Sequence, residues 1–220
     1  MSEEKVLTKK YIEDNLDEIL ERCDALLFFE FTKITDEAAE YIREKSIEYG
    51  LGSCDLSLYD IKEISDEAIM SLAQAEVYQI TLQIKSISVP ALEALLKTNV
   101  IVSLDDITKL TPEEANLISQ LNWWSGELKL AIGTLKPEIA VALAGFCGEA
   151  IVLPKLNKLS DEAVEALSNF QGARLELPRV RELSDAAAES LNKYKGFLKL
   201  NLDNLPESAA QILRDAGHGV

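Results

Sequence analysis

The stretch Leu159-Ser160-Asp161-Glu162-Ala163-Val164-Glu165-Ala166-Leu167 decides the fold, because variants of it recur along the whole chain. Aligning on the apolar residue before each helix-start signal gives anchors at Leu7, Ile34, Ile64, Ile87, Leu110, Leu135, Leu159, Leu183 and Leu205. From Ile64 onward the spacings are 23, 23, 25, 24, 24 and 22 residues. A period this regular, in the range of about 20 to 50 residues, is the signature of a solenoid.

Each anchor is followed by helix-start chemistry. Thr35, Ser65, Ser88, Thr111, Ser160 and Ser184 stand where a hydroxyl can accept from a free backbone amide. Pro112 and Pro137 fall where a helix needs no amide donor. Acids such as Asp36, Glu37, Asp161 and Glu162 occupy the first turn, which the helix dipole favours. Apolar residues then recur four, five and eight places past the anchor, as in Ala163, Val164 and Leu167, which is one narrow helical face. Glu114 is a polar lapse in that pattern. Gly50, Gly126, Gly148, Gly172 and Gly196 read as helix stops.

Before each anchor the period changes to two, as in Leu56 and Leu58, Ile80 and Leu82, or Leu175 and Leu177, with Leu27, Phe29 and Phe31 as the first copy. The order strand, helix, strand predicts an α/β fold: a right-handed solenoid of about eight repeats of ~23–25 residues, a parallel β-sheet on one side and helices on the other. Strands stack at about 4.8 Å and helices are about 10 Å across, so the sheet is expected on the concave side. The expectation is a single domain, 1–220: a helical cap over 1–25 with an apolar stripe of Ile12, Leu16, Ile19, Leu20 and Cys23, repeats over 26–213, and a frayed tail over 214–220. The first full repeat is longer by about two turns, through Glu44 to Tyr49.

Segments such as Ile34-Thr35-Asp36-Glu37-Ala38-Ala39 and Leu159 to Val164 resemble the leucine-rich repeats of the ribonuclease-inhibitor-like kind, and more closely a shorter bacterial variant. The resemblance covers residues 26 to 213. The family's Asn or Cys after the strand is replaced by Ile61, Ile84, Ile107, Ile132, Leu156, Val180 and Leu202, so the asparagine ladder is absent.

The formal charge is −16, with 38 acids against 22 bases. That argues against nucleic acid and against an anionic membrane surface, both of which are bound through Lys and Arg. The amino terminus has neither a basic start nor an apolar run, and Cys23, Cys54 and Cys147 form no CxxC pair. A cytoplasmic protein with buried, reduced thiols is expected.

No chemistry-bearing constellation emerges. The one histidine, His218, lies three residues from the end, so no His-based relay can form. Asp36 with Glu37, Asp105 with Asp106 and Glu113 with Glu114 read as dipole partners or solvated loops, and no calcium loop or phosphate loop is present. The expectation is no enzyme, no cofactor and no metal site. Trp123 is expected in the core, and Trp124 as an exposed aromatic.

Alternation leaves the outward strand positions as the candidate binding surface. One column runs Phe28, Ser57, Thr81, Ser103, Lys129, Val152, Glu176, Lys199; the next runs Glu30, Tyr59, Gln83, Asp105, Ala131, Pro154, Pro178, Asn201. Glu30, Tyr59, Gln83, Asp105, Lys129, Glu176 and Lys199 are the candidate binding residues, with no charge stripe among them. Architecture and resemblance together imply a non-catalytic protein–protein interaction module presenting a curved repeat surface to a protein partner. The alternative is an acidic inhibitor or immunity-type protein neutralising a basic partner, since residues 1–64 hold 17 acids and 8 bases, a net of −9. The chain is expected to be a monomer, or to self-associate weakly through its last strand, Leu198 to Leu202.

Overall fold

The computed structural model describes residues 5–21, 25–98, 100–123 and 126–218. They form a mixed α/β fold with parallel sheets and ten α-helices among the described residues. The chain divides into two compact units, Met1–Asp106 and Ile107–Val220.

The first unit contains β1 (Val6–Leu7), α1 (Lys9–Asp14), α2 (Leu16–Glu21), β2 (Ala25–Leu27), β3 (Lys33–Ile34), α3 (Asp36–Tyr49), β4 (Asp55–Leu58), α4 (Asp66–Ala73), β5 (Gln79–Leu82), α5 (Val89–Leu96) and β6 (Ile101–Ser103). Its main sheet has the order β2-β4-β5-β6, all parallel. The second unit contains α6 (Pro112–Ile118), β7 (Glu127–Lys129), β8 (Thr134–Leu135), α7 (Pro137–Ala144), β9 (Ala150–Val152), β10 (Lys158–Leu159), α8 (Asp161–Ser168), β11 (Arg174–Glu176), α9 (Asp185–Leu191), β12 (Phe197–Lys199) and α10 (Glu207–Asp215). Its sheet is β7-β9-β11-β12, again all parallel.

The anchors have a role that alternation does not reveal. Leu7 pairs with Ile34 in β1–β3, and Leu135 with Leu159 in β8–β10, so these four anchors lie on short second ladders just before or beside the helices. Between each main strand and its helix, Ile61, Ile84, Ile107, Ile132, Leu156, Val180 and Leu202 are all buried. Apolar packing fills the loop positions where the resembled family places a hydrogen-bonding side chain.

All six expected hydroxyls cap their helices, with Oγ-to-amide distances of 3.2 Å for Thr35, 3.0 Å for Ser65, 3.3 Å for Ser88, 3.2 Å for Thr111, 3.3 Å for Ser160 and 3.0 Å for Ser184. The lapse at Glu114 is explained there: its carboxylate accepts from the Thr111 amide at 2.7 Å, completing a capping box. Helix α7 has Lys136 at its N-cap position and no side-chain cap hydrogen bond.

Several expectations change. In the first strand Leu26 and Phe28 are buried while Phe29 is half exposed, so the inward phase is one residue earlier than Leu27, Phe29 and Phe31. A continuous apolar run carries no alternation to set its phase. The amino-terminal stripe is split by Asn15 into α1 and α2, and Ile12 is its buried member while Leu16, Ile19 and Leu20 are half-buried; Cys23 lies outside the described residues. Only Gly50 acts as the left-handed helix stop expected, at φ 63°. Gly148, Gly172 and Gly196 stand beyond the helix ends, where Phe146, Phe170 and Tyr194 fold back over them. Those rings stack in a ladder, with centroids 6.3 and 6.2 Å apart. Residues 214–218 close the last helix instead of fraying: Gly217 at φ 85° donates to the Arg214 carbonyl and His218 to that of Leu213, while 219–220 lie outside the described residues.

Candidate functional site

The pleat sends residues i and i+2 of a strand to the same face, so the register fixes the outward columns of each sheet. In the first unit one column is Ala25, Asp55, Gln79, Ile101 and the next is Leu27, Ser57, Thr81, Ser103. Continuing the register two residues further gives Phe29, Tyr59, Gln83 and Asp105. Glu30 therefore falls beside Asp60 and not beside Tyr59, which corrects its place in the candidate surface. Its amide donates to Asp60 Oδ2 at 3.3 Å, its carboxylate pairs with Lys5, and its φ is 75°. Phe29, half exposed, takes the position assigned to it.

This face holds two carboxylates, Asp55 and Asp105, two amides, Gln79 and Gln83, and no cation among its twelve positions. Ser57, Gln79 and Thr81 are buried although they are polar. Gln79 is only 8% exposed; its Nε2 donates to Thr81 Oγ1 at 3.0 Å, and its Oε1 has no hydrogen-bond partner. Leaving such an atom unpaired costs about 1–3 kcal/mol. Ser103 Oγ donates to Asp105 Oδ1 at 3.2 Å, and the Tyr59 ring is exposed at the same edge.

The second unit's face has a different character. Its columns are Glu127, Ala150, Arg174, Phe197 and Lys129, Val152, Glu176, Lys199. Arg174 pairs with Glu127 and, at 3.3 Å, with Glu176, and Lys199 pairs with Glu176 at 2.9 Å. The structure thus joins the candidates Glu176 and Lys199 in one ionic network and adds Glu127 and Arg174. Sequence reasoning missed that pair because it began its columns one step too late along the strand. Small Ala150 and Val152 leave the room in which the ions of β7 and β11 meet across β9.

Grooves lie at the strand-to-helix loops of both units. One of about 760 Å³ in the first unit is lined by Lys33, Asp36, Glu63, Ser65 and Lys85 among others; there Lys33 pairs with Glu63 at 3.1 Å and Ser65 donates to Asp36. Another, of about 390 Å³ in the second unit, is lined by Lys155, Asn157, Lys158, Arg179, Arg181 and Glu182.

Trp123 is in the core as expected, its Nε1 donating to the Ile118 carbonyl at 3.0 Å; Trp124 lies outside the described residues. Cys54 is buried, but Cys147 is exposed, contrary to the expected burial, because the chain turns outward there to bring Phe146 and Gly148 inward. His218 is half-buried and burial lowers its pKa. On α3, Arg43 lowers the Glu40 pKa through a direct hydrogen bond, and Glu48 raises that of Lys45 in the same way. Among the described residues no group of three His, Cys, Asp or Glu side chains is placed to hold a metal ion, and no helix is long and apolar enough to cross a membrane.

No family model matches the chain, and a search of characterised proteins also finds no match. Among solved structures the chain is similar to the apo-structure of D-lactate dehydrogenase from Escherichia coli, at 15% identity and a TM-score of 0.20, over 98% of this chain and 80% of that one. None of these comparisons supports the expectation of a non-catalytic protein–protein interaction module or that of an acidic inhibitor, and both are withdrawn. At a TM-score of 0.20 the likeness brings neither fold nor dehydrogenase activity to this chain.

Proposed function

We propose that the chain is a solenoid of the leucine-rich-repeat kind, and that it works by reversibly binding a small ligand bearing an ammonium or guanidinium group on the sheet face of its first unit. The observation that carries this reading is Gln79 Oε1, a buried acceptor with no donor. Buried polar atoms in native proteins are almost always paired, so an orphan of this kind takes its proton from an ordered water or from a ligand. Asp55, at the same level on the neighbouring strand, adds a carboxylate, and Asp105 adds another at the far edge. Tyr59 and Phe29 offer exposed rings, whose faces attract cations. With no Lys or Arg in the twelve outward positions and a formal charge of −16 on the chain, the field also favours a cation. The regular anchor spacing supports the solenoid, and Cys54 and Cys147, neither of them in a disulfide, suit a reducing, cytoplasmic setting.

Calorimetric titration with spermidine tests the site. Saturable binding is expected, weakened about tenfold by Gln79→Met, since one hydrogen bond to a charged group is worth about 1.5–3 kcal/mol. Gln79→Met leaves the net charge unchanged, so binding that is equal in the variant and the parent would mean diffuse attraction to an acidic protein, and the reading would fail.

A further inference from the structure

We infer that the groove between the loops after β9 and β11 is a second, separate site, which binds a phosphorylated small molecule. Four cations line it, Lys155, Lys158, Arg179 and Arg181, against one carboxylate, Glu182. Lys158 pairs with Glu182 at 2.6 Å. Among the described residues the other three have no acidic partner within 4.0 Å.

The placement is not an accident of a basic surface, because the chain carries 38 acids and 22 bases. The register aligns Val152 with Glu176, so three residues on, Lys155 stands beside Arg179 in the adjacent loop. The Arg181 amide donates to the Asn157 carbonyl at 3.2 Å, which ties the two loops together and sets Arg181 next to Asn157. Like charges held side by side on neighbouring strands or loops repel. Here the fold holds them that way with no acid of its own between them, and an anion seated in the groove removes the repulsion.

The chemistry of the lining selects the anion. Two guanidinium groups offer planar, paired donors that match phosphate oxygens, Lys155 adds a point charge, and the Asn157 side chain can hydrogen-bond a neutral part of the same ligand. At about 390 Å³ the groove is larger than a lone phosphate needs and is within the usual range of small-molecule sites. Three acids near these loops are engaged elsewhere: Glu182 holds Lys158, Glu176 holds Arg174 and Lys199, and Asp161 accepts from Ser184 Oγ at 2.7 Å.

Amide chemical-shift mapping with inorganic pyrophosphate, against sodium chloride at equal ionic strength, tests the inference. Saturable shifts confined to 154–158 and 178–182 are expected, with affinity falling about tenfold for each guanidinium removed in Arg179→Ala and Arg181→Ala. These side chains are exposed and removing one relieves repulsion, so the variants unfold at or slightly above the parent's midpoint, which checks that the fold is intact. Shifts that do not saturate, that sodium chloride reproduces, or that survive in the double variant would overturn it. The site lies in the second unit and its ligand is an anion, so this outcome is independent of spermidine binding to the first.

Discussion

The ring of Phe170 lies over the α-carbon of Gly172, and a β-carbon at that position would meet the ring and stand 2.6 Å from the Gly148 carbonyl. The same arrangement occurs at Phe146 with Gly148 and at Tyr194 with Gly196. Each glycine is needed for close approach, since its neighbour is backbone as well as ring. Gly172→Ala is expected to destabilise the second unit by about 2–3 kcal/mol, in the upper part of the range for overpacking. Gly133→Ala, where a β-carbon meets nothing within 4 Å, is the control expected to cost less. Urea unfolding of both variants measures the difference.

Tyr194 ends the aromatic ladder, its Oη donating to the Gly172 carbonyl at 2.8 Å. Tyr194→Phe should cost about 1 kcal/mol, the net worth of one hydrogen bond. Burial raises the phenol pKa to about 12. Because the folded value is above the unfolded value of about 10, the stabilisation from this group is complete below pH 10 and is lost as pH rises from about 10 to 12. Ultraviolet titration of phenolate absorbance in the parent and in Tyr194→Phe isolates this tyrosine.

Helix caps supply a matched gain and loss. Ser160→Ala removes a cap and should cost about 1 kcal/mol, whereas Lys136→Ser gives α7 the cap it lacks and should stabilise by up to a similar amount. Thermal unfolding of the two variants should move the midpoint in opposite directions.

Cys147 is exposed and Cys54 is buried. In a Cys23→Ser background, a thiol reagent should therefore titrate one group in the native protein within minutes and the second only after denaturation. Two thiols reacting at the same rate in the native state would contradict that burial.

The parts of this fold that were legible from sequence are those written in local chemistry. Six hydroxyls, two early prolines and the alternation of strands such as Leu175 and Leu177 each point to one structure by themselves. The phase of Leu26 to Phe29 was not legible, because four apolar residues in a row fit either face. The role of Gly148, Gly172 and Gly196 was hidden because it depends on a ring two residues earlier folding back, although the spacing Phe-Cys-Gly, Phe-Gln-Gly and Tyr-Lys-Gly was there to be read. The candidate surface was legible as two columns. Gln79, on which the proposed function rests, stands one step earlier on the strand, and only register and burial reveal an amide oxygen without a donor. The cationic groove was likewise invisible to a net charge of −16, since it is made by stacking two loops that lie apart in sequence.

Ligand binding as proposed requires Gln79 to receive a hydrogen bond from a cationic group. The most direct measurement is the position of the Gln79 side-chain amide resonances during a titration with spermidine. A saturable shift of those resonances is expected, together with the backbone amides of Asp55 and Thr81 and with the same midpoint. Shifts spread over the acidic surface of α3, with the Gln79 side chain unmoved at saturation, would contradict it.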